Sequence, residues 1–273
     1  MIRLAVRVAR ADAEVVLAEL LELAPGGLEE RAPDADSIEY VLYGAPGDLP
    51  ALPALRAAAG DALVDVSSSE LPDDWAERWK AFHRPVDVSG GGRRLHLRPP
   101  WEPPAGDDGV DLVIDPGQAF GTGGHHTTRL CLELLLTLPP DGALADWGCG
   151  SGVLAIAAAR LGWAPVVACD HDPASVAATR ANAAVNGVSE IAVERTDLRR
   201  GGGPWAPTIV ANLVRPLLLE LAASMSEPPQ RLLVSGLLRE EAGEVAAAFA
   251  RRGLRETERR HGGEWAALLV VRQ

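Results

Sequence analysis

The chain has 273 residues, with 38 Asp and Glu against 26 Lys and Arg, for a formal charge of −12. That balance excludes a protein that grips nucleic acid through its whole surface, because phosphate binding draws its affinity from Lys and Arg. It favours encounter with basic partners instead. The three cysteines, Cys131, Cys149 and Cys169, are scattered through apolar runs, which points to buried thiols in a reducing compartment and to neither a disulfide framework nor a zinc site. The first residues, Met1-Ile2-Arg3-Leu4-Ala5-Val6-Arg7, interleave charge with apolar side chains, and no run is long enough to cross a bilayer. A cytoplasmic protein without a signal sequence is expected.

Residues 2–8 alternate as a half-buried strand. Residues 11–24 carry Val15, Val16, Leu20 and Leu23 at helical spacing and stop at Pro25-Gly26-Gly27. Strands are expected over 28–32 and 38–43, a helix over 49–59 and a strand over 62–66. This β-α-β-β-α-β order is the split βαβ arrangement of ferredoxin-like domains, so residues 1–70 are expected to form a small α+β domain that recognises a substrate. Residues 71–100 read as a helical linker with connecting strands. Trp75, Trp79 and Phe82 line one face of its helix, a stripe that suits packing between domains. Two strands joined by a long loop are expected over 86–114, with a third domain-scale region over 101–273.

From Asp141 onward, strands alternate with helices: 143–146, 166–170, 191–196, 208–213 and 231–235 are expected strands, which implies a parallel sheet covered on both faces. Residues 254–260 and 265–272 read as an antiparallel hairpin at its edge. Between the first strand and its helix lies Asp146-Trp147-Gly148-Cys149-Gly150-Ser151-Gly152. Glycines there let the backbone approach a ligand that any Cβ would push away. The spacing departs from the dinucleotide fingerprint, since Val153 occupies the place of its third glycine, and no Lys-Ser/Thr follows to make a phosphate loop. An acidic residue followed by G-x-G-x-G resembles instead the cofactor loop of S-adenosylmethionine-dependent methyltransferases with a seven-stranded, class I, Rossmann-like sheet. Asp170, twenty residues beyond Gly150 (170 − 150) at the end of the next strand, suits ribose hydroxyls.

The run Asp115-Pro116-Gly117-Gln118-Ala119-Phe120-Gly121-Thr122-Gly123-Gly124-His125-His126-Thr127-Thr128 is similar to the D-P-G-x-A-F-G-T-G-x-H-x-T-T signature of the PrmA family, methyltransferases of large-subunit ribosomal protein eleven. Asp74-Trp75-Ala76-Glu77-Arg78-Trp79, Pro100-Trp101, Val210-Ala211-Asn212-Leu213, Ser235-Gly236-Leu237-Leu238 and Gly263-Glu264-Trp265 have counterparts in the same order, so the resemblance runs from about residue 72 to the C-terminus. It implies S-adenosylmethionine as cofactor, with contacts at Thr127, Gly148, Asp170 and Asn212. Phe120, Gly121, Thr122, Asp146 and Gly150 join them as candidates by position. Phe120–Gly124 opens a helix, so its amides and the hydroxyls of Thr127 and Thr128 suit the carboxylate end of the cofactor. Asp197, after the third strand, is a candidate for the adenine amino group.

Asn212 is the candidate catalytic residue, because its side-chain carbonyl at a strand end suits an incoming amine. Methyl transfer asks chiefly for in-line positioning of a neutral amine. No general base is assured. His125 and His126 are candidates by place, and no third ligand has suitable spacing to make a metal site with them. Two departures bear on the substrate loop: Gly124-His125-His126-Thr127-Thr128 replaces T-H-P-T-T, and Asn212-Leu213-Val214-Arg215 replaces N-I-L-A. The expected activity is N-methylation of lysine and α-amino groups of that ribosomal protein by a monomer, with no membrane or direct nucleic-acid partner. The alternatives are another protein target or a non-catalytic binding protein.

Overall fold

The computed structural model describes residues 2–23, 28–31, 33–44, 49–70, 83–106, 109–116, 121 and 123–273. The chain divides into two compact units, Met1–Phe82 and His83–Gln273. The helix expected around Trp75, Trp79 and Phe82 lies outside the described residues, as do the site candidates Phe120 and Thr122.

In the first unit, β1 (Ile2–Ala9), α1 (Ala13–Leu23), β2 (Glu29–Arg31), β3 (Ser37–Gly44), α2 (Leu52–Ala59) and β4 (Leu63–Glu70) form an antiparallel sheet in the order β2-β3-β1-β4. This is the ferredoxin-like arrangement that the element order implies. Alternation decides the core: Leu4, Val6 and Val8 of β1 and Ile38, Tyr40 and Leu42 of β3 bury one face with Val16, Leu20 and Leu55 of the helices. The Tyr40 hydroxyl donates to the Ala13 carbonyl at 2.8 Å, which satisfies its polar tip inside that core. Leu23, expected on the buried stripe of α1, is instead 38% exposed at the helix end. The short edge strand β2 is exposed and charged along its length, a form that resists pairing with another chain.

The second unit opens with three strands where two were expected: β5 (Val86–Gly90), β6 (Arg93–Arg98) and β7 (Val110–Val113). The Gly91-Gly92 turn makes β5 and β6 an antiparallel hairpin, and β7 then returns parallel to β6. The long loop therefore lies between β6 and β7. A Cβ at Gly91 would lie 2.6 Å from the Leu136 carbonyl oxygen, so the turn meets the end of α3 (His126–Thr137) through bare backbone. Beside it, Arg93 Nε donates to the same carbonyl at 3.0 Å and helps satisfy the helix C-terminus.

The main sheet comprises β8 (Leu144–Trp147), β9 (Val166–Asp170), β10 (Ala192–Arg195), β11 (Thr208–Asn212), β12 (Arg231–Leu238), β13 (Leu254–Gly262) and β14 (Trp265–Arg272), in the order β10-β9-β8-β11-β12-β14-β13. β8 to β12 run parallel, and β14 enters antiparallel between β12 and β13. The helices α4 (Val153–Arg160), α5 (Pro173–Val185), α6 (Arg215–Ser224) and α7 (Ala242–Ala250) intervene. Two buried clusters, one on each face, hold the layers together. Between β10 and β11 there is only a short 3-10 turn, Leu198–Arg200, followed by three glycines. A Cβ at Gly203 would lie 2.7 Å from Trp147 Nε1 and 2.9 Å from Cys169 Sγ, so this strap lies flat on the sheet. Trp147 Nε1 donates to the Pro204 carbonyl at 3.0 Å and pins it.

Candidate active site

Sequential order in the sheet reverses between β8 and β11, and the carboxyl ends of strands on either side of such a switch are where open α/β sheets bind ligands. Gly148, Gly150 and Gly152 follow β8 with φ of +77°, +52° and +83°, a region that L side chains rarely adopt. A Cβ at Gly148 would come within 2.4 Å of Leu213 Cδ2. The amides of Gly148 and Cys149 both donate to the Cys169 carbonyl, at 2.8 and 3.0 Å. Asp170, ending β9, accepts from Gly150 N through Oδ2 and from Asp172 N through Oδ1, each at 3.0 Å. His171 Nδ1 stands 3.3 Å from the same Oδ1. A carboxylate has about four lone-pair sites, so Asp170 keeps acceptor capacity for a hydroxyl ligand while it fixes the loop.

Asp146 is fully buried at the root of this loop. Its Oδ2 accepts from Ala155 N at 3.0 Å, in the first turn of α4, while Oδ1 has no partner among the described residues. Burial pushes its pKa up to about 7; the Ala155 bond opposes that and the nearby Asp170 adds to it. A buried acceptor without a donor is costly, and a cationic group of a ligand would relieve it. Burial is also the chief cause that pushes the thiols of Cys131 and Cys149 far above their ordinary range and Cys169 up to about 12. They are inert packing groups, and each is free.

A second polar system secures the loop from behind. Thr179 and Asn182 of α5 and Asn186 at its C-cap recur at helical spacing, all buried. Thr179 Oγ1 donates to the Gly150 carbonyl at 2.9 Å, and Asn182 Nδ2 to the Ser151 carbonyl at 2.9 Å. Asn182 Oδ1 accepts from Asp115 N at 3.0 Å, and Asn186 brackets Val113 through both its N–H and its carbonyl. The segment entering the D-P-G signature is thus tied to the glycine loop. Ser151 Oγ donates to the Gly121 carbonyl at 2.7 Å, which brings Gly121 to the same place. These residues were missed from sequence, although two asparagines and a threonine inside an otherwise apolar helix face carried the signal.

On the other side of the switch stands the first turn of α3. His125 caps it: its Nδ1 accepts from Thr127 N at 3.3 Å and lies 2.7 Å from Thr127 Oγ1. Its ring meets Trp265 edge-on with centroids 4.9 Å apart. Burial, and then His126, hold its pKa below the ordinary value. The Nδ1 lone pair is occupied, so proton abstraction by that atom would break the cap. His126 lies apart, against Gly262 and Gly263 of the closing hairpin. Thr127 and Thr128 are both 1% exposed. Asn212, ending β11, is half-buried, and its Nδ2 donates to Thr128 Oγ1 at 3.3 Å. Beyond it Val214 is 63% exposed. Asp197 stands elsewhere in the hydrogen-bond scheme: Oδ1 accepts from Arg199 N at 3.2 Å, and Arg200 pairs with Oδ2.

Of the sequence candidates, Gly121, Thr127, Asp146, Gly148, Gly150, Asp170 and Asn212 converge at this end of the sheet. The strand order, the antiparallel penultimate strand and the glycine loop at the switch define a class I, Rossmann-like methyltransferase fold.

The family model described as "Ribosomal protein L11 methyltransferase (PrmA)" matches residues 55–273, and the chain belongs to that family. A relative from Heliobacterium modesticaldum named ribosomal protein L11 methyltransferase is 42% identical over 207 residues, covering 73% of this chain and 64% of its own length. The chain thus spans just under two thirds of that relative. One of the same name from Burkholderia ambifaria is 35% identical, covering 99% of this chain and 97% of its own. The crystal structure of a ribosomal protein L11 methylase from Lactobacillus delbrueckii subsp. bulgaricus aligns with a TM-score of 0.61 and 30% identity, over 68% of this chain and 98% of that one.

Proposed function

We propose that this protein transfers methyl groups from S-adenosylmethionine to amino nitrogens of ribosomal protein L11, lysine side chains first and α-amino groups as a second class. The observation that carries the reading is the convergence of Gly148, Gly150 and Asp170 on one side of the switch with Asn212 on the other. The residues fit the cofactor: a glycine cradle that a Cβ would fill, a carboxylate at a strand end with acceptor capacity to spare, and a buried oxygen of Asp146 lacking a donor. Asp170 would hold the ribose hydroxyls, Asp146 the amino group, and the segment from Phe120 to Thr128 the carboxylate end.

When bound, the cofactor supplies a methyl carbon already activated on a sulfonium sulfur. The protein then has to place a neutral amine in line with that carbon and exclude water. Asn212 Oδ1 accepts an N–H of the amine, which leaves its lone pair free to attack. The incoming ammonium gives its proton to bulk solvent before attack, favoured by desolvation near a cation, and forming the N–C bond would break the S–C bond and leave a neutral thioether. His125 spends its Nδ1 on the helix cap, so no general base at that atom enters the scheme. The net charge of −12 attracts a basic ribosomal protein. The enzyme acts as a monomer in the cytoplasm, and the first unit docks the substrate.

Labelled methyl transfer to purified ribosomal protein L11 tests this directly. Asn212→Ala is expected to lower kcat on the order of 100-fold with little change in cofactor affinity. Equal losses in both would reduce Asn212 to a wall of the cofactor pocket. Label only on another protein of an extract would move the target, and cofactor binding without any transfer would leave a non-catalytic protein.

A further inference from the structure

The amide of Asn212 presents an acceptor and a donor of nearly the same shape. Only one orientation suits the reaction proposed above, on which this inference rests. With Oδ1 toward the substrate, the amine donates an N–H and keeps its lone pair. With Nδ2 there, an amide N–H would hydrogen-bond that lone pair, the electrons that must form the new N–C bond. Shape alone does not choose between the two.

We infer that Thr128 is the positioning residue of this amide: its hydroxyl holds the Nδ2–H of Asn212, which leaves Oδ1 turned toward the incoming amine. The contact is 3.3 Å. Thr128 itself is 1% exposed, and its β-branched side chain has few rotamers available in a helix. The helix bearing it is anchored at its first turn by the His125 cap and by the ring of Trp265. Its neighbour Thr127 has its hydroxyl against His125, so the two adjacent threonines hold different partners: Thr127 closes the helix start, and Thr128 reaches across to β11.

The substitution Thr128→Val removes the hydroxyl and keeps the shape. Expected is a fall in kcat of about 10- to 100-fold for transfer to ribosomal protein L11, larger than any fall in cofactor affinity, with thermal stability little changed and with Thr128→Ser restoring most of the rate. In an Asn212→Asp background both side-chain oxygens are acceptors, so Thr128→Val is expected to add no further loss. A fall in kcat that tracks a fall in cofactor affinity, or one of equal size in both backgrounds, would overturn the assignment.

A second readout is independent of methyl transfer. The side-chain NH2 signals of Asn212, assigned by their loss in Asn212→Ala, are expected to exchange slowly with solvent in the wild type and rapidly in Thr128→Val. Unchanged exchange would sink the inference even if the enzyme is active. A wild-type protein that transfers no methyl to ribosomal protein L11 would instead defeat the proposed function, and the Thr128 assignment would then be decided by these amide signals alone.

Discussion

The two sides of the switch point are built by different means. On the β8–β9 side the chain is held by backbone: the Gly148, Cys149 and Gly150 amides bond to Cys169 and Asp170, and the Gly150 and Ser151 carbonyls are held by α5. On the β11 side the described polar contact of Asn212 is one side-chain bond to Thr128, and Val214 stands exposed beyond it. In the proposed function the side fixed by backbone takes the cofactor, and the single amide of Asn212 aims the lone pair of the substrate amine. The two sides meet at Leu213. Its side chain lies over Gly148, and its carbonyl oxygen would be 2.3 Å from a Cβ on Gly236.

The largest effect is therefore expected where the halves touch. Gly148→Ala places a Cβ at φ +77°, a strain of about 1–3 kcal/mol, and drives it into the Leu213 side chain. Cofactor affinity and kcat should fall together. Calorimetric titration and single-turnover rates would show it, and a loss confined to affinity would mean that Leu213 moves aside freely and the two sides are uncoupled.

Asp170→Ala comes next and should act on the cofactor side alone. It removes the acceptor of Gly150 N together with the proposed ribose contact, and a loss of about 1–3 kcal/mol in cofactor affinity is expected. Unchanged affinity would overturn the ribose assignment.

Asp146 sharpens the contrast through pH. Its pKa of about 7 lies above the unfolded value of 3.8, so the native protein binds more protons than the unfolded chain between those limits. The stability this group contributes is present at low pH and is lost as pH rises through about 7. A cationic ligand group needs the ionised carboxylate, so cofactor binding should release a proton below pH 7. Affinity should strengthen by at most about tenfold per pH unit as pH rises toward 7. Titrations in buffers of different ionisation enthalpy would count the proton, and Asp146→Asn should abolish the dependence.

The cofactor side was also the more legible in sequence. Glycines flanked by Asp146 and Asp170 at fixed spacing state a backbone requirement, because positive φ excludes other residues at Gly148, and alternation of strand and helix gave the sheet. The three-stranded start of the second unit was not legible: β7 is four residues long and reached through a proline-rich loop, so its pairing with β6 depends on contacts such as Arg98 with Asp111 at 2.9 Å. The polar seam of Thr179, Asn182 and Asn186 was hidden because its partners are backbone groups up to 73 residues away. The role inferred for Thr128 rests on its 3.3 Å contact with Asn212, which no local pattern encodes.

The smallest effect concerns the cap of α3, and its sign is opposite to that of Asp146. The pKa of His125 is held below its ordinary 6.5, chiefly by burial, so between the native and unfolded values the unfolded chain binds more protons. Stability from this group is complete above about pH 6.5 and falls as pH drops through that value toward the native pKa. Protonation puts a proton on the Nδ1 lone pair that accepts from Thr127 N, and losing such a cap costs about 1 kcal/mol. His125→Asn substitutes a capping residue that does not titrate. Thermal unfolding between pH 5 and 8 should show a weaker acid-side loss in the variant than in the wild type. With the histidine gone, the remaining trend should follow Asp146, with stability rising on acidification. Identical profiles would mean that the cap breaks at no cost, and that the first turn of α3 is held by the packing of Thr127 and Thr128 alone.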